Sequence, residues 1–155
     1  MFKIILCATD LNVASSEAVI RAVQLAHQYD SKIIMLNVHE EFMSKEELGM
    51  LRVSIGSMKS EFEKTALQAK KEMREEIESL HAEDIQVEYI IKDGKPNKVI
   101  CEEAQKAQAD LIIMGVSDTN IISNFIFRST ASFVIEHVEI PVLVVPIKSK
   151  KCPDL

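Results

Sequence analysis

Apolar residues along this chain gather in five short runs: Lys3–Ala8, Lys32–Val38, Gln86–Ile91, Leu111–Met114 and Pro141–Val145. Each is rich in Ile and Val and nearly continuous rather than alternating, as suits strands covered on both faces of a parallel sheet. Between the runs the apolar positions change to helical spacing. Ser15–Tyr29 carries Val19, Ala22, Val23 and Ala26 on one stripe, with Ser15 or Ser16 as the expected N-cap. Lys45–His81 is long, polar and amphipathic, with Glu and Lys offset for local ion pairs, and Gly49 and Gly56 predict an early break in it. Asn97–Gln108 and Ser129–His137 are the third and fourth helical stretches.

Strands alternating with helices predict an α/β three-layer sandwich: a five-stranded parallel sheet, about four helices and right-handed crossovers. Such a sheet takes its ligands beyond the carboxyl ends of the strands, where strand order reverses. Candidate chemistry is therefore sought at Thr9–Asn12, His39–Glu41, Lys92–Lys95 and Val116–Arg128. The last segment is longer than the usual connection of about 2–6 residues. It also concentrates Ile121, Ile122, Phe125, Ile126 and Phe127. That apolar tip either folds onto the sheet or offers a surface to a protein partner. No repeat or internal linker divides the chain, so residues 1–147 are read as one domain and 148–155 as a polar tail.

Composition narrows the function classes. With 155 residues the chain can bury a sizeable core, and without Trp, at 5% aromatic content, that core is aliphatic. Net charge is −6 and the basic residues cluster only at Lys148, Lys150 and Lys151, which argues against nucleic acid as a partner. No apolar run approaches membrane-spanning length, and Met1 leads almost directly into a strand rather than a leader, so a cytoplasmic location is expected. Cys7 and Cys101 fall in strand and helix patterns and read as buried free thiols, whereas Cys152 lies in the tail. His27, His81 and His137 lack metal-ligand spacing, and His39 stands alone at a strand end, so no metal site is implied.

The segments KIILCATDLN, KIIMLNVHE, DGKPNKVICEEAQKAQADLIIMG and SFVIEHVEIPVLVVP resemble the universal stress protein family, from Lys3 to Pro146. The resemblance implies a Rossmann-like, adenine nucleotide α-hydrolase-like sheet of order 3-2-1-4-5. It also implies a site. Family members that bind ATP carry G-x2-G-x9-G-[ST] after the fourth strand, where glycines let backbone N–H groups approach phosphate at a helix N-terminus. Here Gly115 and Ser129 keep their places, but Asp118 and Arg128 stand where the second and third glycines are expected. A carboxylate there opposes phosphate, and Arg128 adds bulk while bringing a guanidinium that can contact phosphate. Asp10 matches an aspartate close to the adenosine, and Val38 matches a position whose backbone reads the adenine edge.

The resemblance thus implies a non-enzymatic, stress-associated regulatory or interaction protein with weakened or absent ATP binding and no obligatory cofactor. Beside it stands an ATP- or AMP-binding protein that uses Arg128, Ser129 and Thr130 for phosphate, with Asp10, Val38 and Gly115 for adenosine. Slow ATP hydrolysis ranks behind both, because Asp118 is the sole candidate for a base. Plain structural roles compete at each position: Asp10 as a turn residue, Ser129 and Thr130 as helix caps. Finally, the apolar last strand at a sheet edge invites pairing with a second copy. Family members often form two-fold dimers there, so a homodimer through Pro141 to Val145 is expected.

Overall fold

All five apolar runs form strands of one parallel sheet. The computed structural model describes residues 1–40, 55–117 and 130–147. In chain order the elements are β1 (Ile4–Ala8), α1 (Val13–Tyr29), β2 (Lys32–His39), α2 (Ile55–Ser79), β3 (Val87–Asp93), α3 (Pro96–Lys106), β4 (Leu111–Ser117), α4 (130–137) and β5 (Val142–Ile147). The strand order is β3-β2-β1-β4-β5 and every pairing is parallel. β1 pairs Ile4 with Lys32 on one side and Ile5 with Leu111 on the other. The sheet centre therefore joins segments about a hundred residues apart.

Alternate residues of each central strand feed two separate cores. Ile5, Cys7, Ile33, Met35, Leu111 and Ile113 face α1 and α2, where Ala18, Val19, Ala22, Met73 and Ile77 meet them. Leu6, Ala8, Ile34, Leu36, Ile112 and Met114 face α3 and α4, against Ile100, Ala104, Ala131 and Val134. Burial on both faces explains why these runs are continuous rather than alternating. Each large aliphatic side chain so buried contributes about 1.5–3 kcal/mol.

Differences from the sequence reading lie at element ends. β2, β3 and β4 run past their apolar stretches to His39, Asp93 and Ser117, because the backbone ladder continues where side chains turn polar. β5 starts at Val142 rather than Pro141, which has no N–H to give and supplies its carbonyl to the Ile112 N–H at 3.0 Å. α1 begins two residues before Ser15; its N-cap is Asn12, and neither Ser15 nor Ser16 holds that place. Of the long second helical stretch, Ile55–Ser79 is helix, while residues 41–54 lie outside the described residues. Met73 is fully buried as core packing requires; Met43, Met50 and the Met58 side chain lie outside the described residues.

Three helices end in left-handed residues that are not glycine: Asp30 (φ 54), His81 (φ 52) and Gln108 (φ 52). At each, the next residue's N–H reaches back five positions: Ser31 to the Ala26 carbonyl at 3.0 Å, Ala82 to Ile77 at 3.3 Å and Ala109 to Ala104 at 2.9 Å. These bonds satisfy carbonyls that the helix ends would otherwise orphan.

Candidate functional site

The chain winds from β1 through β2 to β3 on one side, then crosses to β4 and β5 on the other. The strand ends of β1 and β4 therefore flank the point where order reverses. Ala8 pairs with Leu36 of β2 and with Met114 of β4. Asp10, Val38 and Gly115, each a residue or two further along adjacent strands, consequently share one edge of the sheet. Helix α4 (130–137) lies between β4 and β5 in the chain, and Thr130, which is buried, is its first described residue. Arg128 and Ser129, together with Asp118 and the apolar tip Ile121–Phe127, lie outside the described residues.

The loop after β1 is built around Thr9. Its N–H donates to the Leu36 carbonyl at 2.9 Å, and its own carbonyl accepts from the Asn37 side-chain Nδ2 at 3.0 Å. Its hydroxyl accepts the Leu11 N–H at 3.1 Å and donates to the Ser15 hydroxyl at 2.9 Å. Ser15 in turn donates to the Asn12 carbonyl at 2.8 Å. Thr9, Ser15 and Asn37 are all buried, and burial is affordable for polar groups only when they are bonded in this way. Within the ring so closed, Leu11 takes φ 65, which costs a non-glycine residue on the order of 1 kcal/mol.

Asp10 projects from this loop, half-buried. Its Oδ1 accepts the Asn12 N–H at 3.0 Å and its Oδ2 accepts the Asn12 side-chain Nδ2, also at 3.0 Å. The turn role and the site role are thus compatible: two donors fix the carboxylate, and a carboxylate has further lone pairs to offer. Asn12 also starts α1, with Ser15 and Ser16 N–H groups on its carbonyl, so the positive end of that helix faces the same edge.

At the neighbouring strand end, the His39 carbonyl accepts the Gly94 N–H at 3.0 Å. Gly94 has φ 138, and a Cβ there would stand 3.2 Å from Val99 Cγ2, so glycine is required to turn β3 into α3. His39 is half-buried, its ring 6.4 Å from that of Phe62.

Where α2 meets α1, burial raises the Glu76 carboxyl above the ordinary range, partly offset by a hydrogen bond from Ser16. Burial, helped by the Glu76 carboxylate, drives the Cys7 thiol far up, which leaves it protonated and inert. Burial also raises the Cys101 thiol. Both sulfurs are free, as their sequence context predicts; Cys152 is outside the described residues. Among the described residues no group of His, Cys, Asp and Glu could hold a metal ion, and no helix is long and apolar enough to cross a membrane.

Residues 1–146 match the sequence profile of the universal stress protein family. The chain belongs to that family. A universal stress protein of Methanocaldococcus jannaschii is 29% identical over 153 residues, covering 97% of this chain and 85% of its own length. Among solved structures, universal stress protein UspA from Lactobacillus plantarum superposes with a TM-score of 0.74 at 24% identity, covering 93% of this chain and 97% of that one. A universal stress protein family protein from Arabidopsis thaliana with AMP bound gives a TM-score of 0.61 at 17% identity, covering 97% and 95%. At these identities the structural likeness establishes the fold, which is the Rossmann-like sheet of order 3-2-1-4-5 that the family resemblance implies.

For this universal stress protein, the sequence singles out Asp10, Val38 and Gly115, and the structure adds the residues that shape the loop around Asp10. Thr9, Asn12, Ser15 and Asn37 were legible in one respect: Asn37 is a lone amide inside IIMLNVH, and an amide in a buried strand must have a partner. Which partner it takes is a tertiary fact.

Proposed function

We propose that this member of the universal stress protein family is a non-enzymatic regulatory protein that binds an adenine mononucleotide, of the AMP class, in the crevice at the ends of β1, β2 and β4. The observation that carries this reading is the convergence of Asp10, Val38 and Gly115 on one edge of the sheet, at the reversal of strand order. Bound AMP in the related Arabidopsis fold supports the ligand class. Asp10 supplies acceptors to ribose hydroxyls, the Val38 backbone meets the adenine edge, and Gly115 leaves room for close approach. Asp118 and Arg128 in place of glycines weaken the hold on a triphosphate, so added phosphates bring little affinity. Asp118 is the one candidate base in the loop sequence, too little to support turnover.

A two-fold dimer through β5, in the cytoplasm, completes the proposal. Among the described residues β5 is an edge strand, and Leu143 on it is a large apolar side chain that is 37% exposed. Sedimentation of the native protein and of Leu143→Glu reads this directly: a dimer converted to monomer supports the edge, and a native monomer removes it.

The nucleotide reading is tested by calorimetric titration of nucleotide-stripped protein with AMP and with ATP, with and without magnesium. Saturable AMP binding, with ATP no tighter, is expected. ATP binding far tighter than AMP would instead assign the phosphates to Arg128 and Ser129, and binding of neither would dismiss the crevice as a nucleotide site.

A further inference from the structure

Every polar atom of Thr9 is engaged, although Thr9 belongs to neither the adenosine triad nor the phosphate loop. Its hydroxyl sits in a directional relay: Leu11 N–H to Thr9 Oγ1 at 3.1 Å, Thr9 O–H to Ser15 Oγ at 2.9 Å, Ser15 O–H to the Asn12 carbonyl at 2.8 Å. The relay begins on one residue and ends on the next, so it clasps the Leu11–Asn12 segment from both sides. From β2, the Asn37 amide braces the Thr9 carbonyl at 3.0 Å. The clasped segment contains the left-handed Leu11 and carries both donors, Asn12 N and Nδ2, that orient the Asp10 carboxylate. A buried, fully satisfied network of this kind permits one loop conformation and makes each alternative leave a buried group unpaired.

From this arrangement we infer that Thr9 is the positioning residue of the crevice: its hydroxyl, working through Leu11, Asn12 and Ser15 and braced by Asn37, sets the Asp10 carboxylate in its binding orientation before ligand arrives. The inference rests on the nucleotide reading for its effect on affinity. Its effect on the free loop does not depend on that reading. A ligand meeting a preset carboxylate pays no ordering cost for the loop. Removing the hydroxyl transfers that cost to the binding step, without removing any atom the ligand touches.

The test compares the native protein with Thr9→Val, which keeps the shape and loses the hydroxyl, and Thr9→Ser, which keeps the hydroxyl. Ser15→Ala breaks the same relay from its far side and stands in should Thr9→Val fail to fold. AMP affinity is measured by calorimetry, and amide hydrogen exchange is followed at Leu11 in ligand-free protein, with Leu6 and Ile112 as internal references for global stability. Thr9→Val and Ser15→Ala are expected to bind AMP roughly tenfold more weakly, the scale of one hydrogen bond transferred to the binding step. They should also speed exchange at Leu11 selectively, while Thr9→Ser stays near native in both. Native affinity in Thr9→Val, or unchanged Leu11 exchange, overturns the inference. Should the native protein bind no AMP, the nucleotide reading falls, and the exchange arm alone decides whether Thr9 sets the loop: selective loss of Leu11 protection upholds it, and equal protection in all variants ends it.

Discussion

The two ends of the sheet are held by different means. At the end where the strands begin, side chains clamp backbone: Asp110 Oδ2 accepts both the Lys3 and Ile4 N–H groups at 2.8 Å, and the Asp110 N–H returns a bond to the Ile4 carbonyl. Ser31 likewise donates to the Phe2 carbonyl, and the left-handed helix ends at Asp30, His81 and Gln108 all close there. At the end where the strands finish, comparable hydrogen bonds are spent on shaping one loop around Asp10. One end holds the fold together; the other holds a carboxylate in place. On the proposed function, a change at the strand starts of this chain costs stability and a change at the strand ends costs binding.

The sharpest way to break this contrast is Asp110→Ala. It strips the shared acceptor from two β1 amides and is expected to lower unfolding stability by about 2 kcal/mol, the scale for bonds to a charged acceptor. Urea unfolding measures the loss, and AMP titration should show no accompanying change in affinity. A parallel fall in both would mean that the two ends are coupled. Gln108→Gly works in the opposite direction. It relieves a left-handed non-glycine residue and should gain roughly 0.5 kcal/mol after the entropy glycine brings to the unfolded chain. Thermal unfolding reads the gain, again with AMP affinity unmoved.

Two carboxylates sharpen the contrast through pH. Glu76, between α1 and α2, has its folded pKa raised by burial, so its contribution is fully present at acid pH and is lost as pH rises through that raised value. Glu76→Gln should flatten this part of the stability profile and leave the protein more stable than native at neutral pH; a profile identical to native would show that the seam does not discriminate the two charge states. The smallest effect belongs to Asp84, whose oxygens lie 3.1 and 3.2 Å from His27 Nε2 near the strand starts. The His27 hydrogen bond lowers its pKa, so its contribution is present above the ordinary carboxylate range and lost as pH falls through the lowered value. Asp84→Asn should remove only that acid-side slope, measured by unfolding at a series of pH values.

What could be read from the chain beforehand follows the same division. Runs such as KIIMLNV and ADLIIMG declare buried strands because both faces demand apolar side chains, and the helical stripes between them fix the alternation. Helix ends were less legible. Asp30, His81 and Gln108 carry no glycine signal, and the N-cap of α1 is Asn12 rather than either serine, with Ser15 inside the first turn and bonded to Thr9. Asp10, Val38 and Gly115 could be singled out by resemblance, since each closes or follows a recognisable apolar run. Their support could not, because the bond from Asn37 to Thr9 spans 28 residues and depends on strand register rather than on local pattern.

The pairing of β1 with β4 has a consequence during synthesis. β1 leaves the ribosome well before its second neighbour, which begins at Leu111. Until then one edge of the central strand stays open and the Lys3 and Ile4 amides lack the Asp110 carboxylate. At about 5–20 residues per second, that interval lasts roughly 5–20 s. Nascent fragments that stop short of β4 therefore present an apolar strand edge, and the central strand gains its second neighbour only once β4 has emerged.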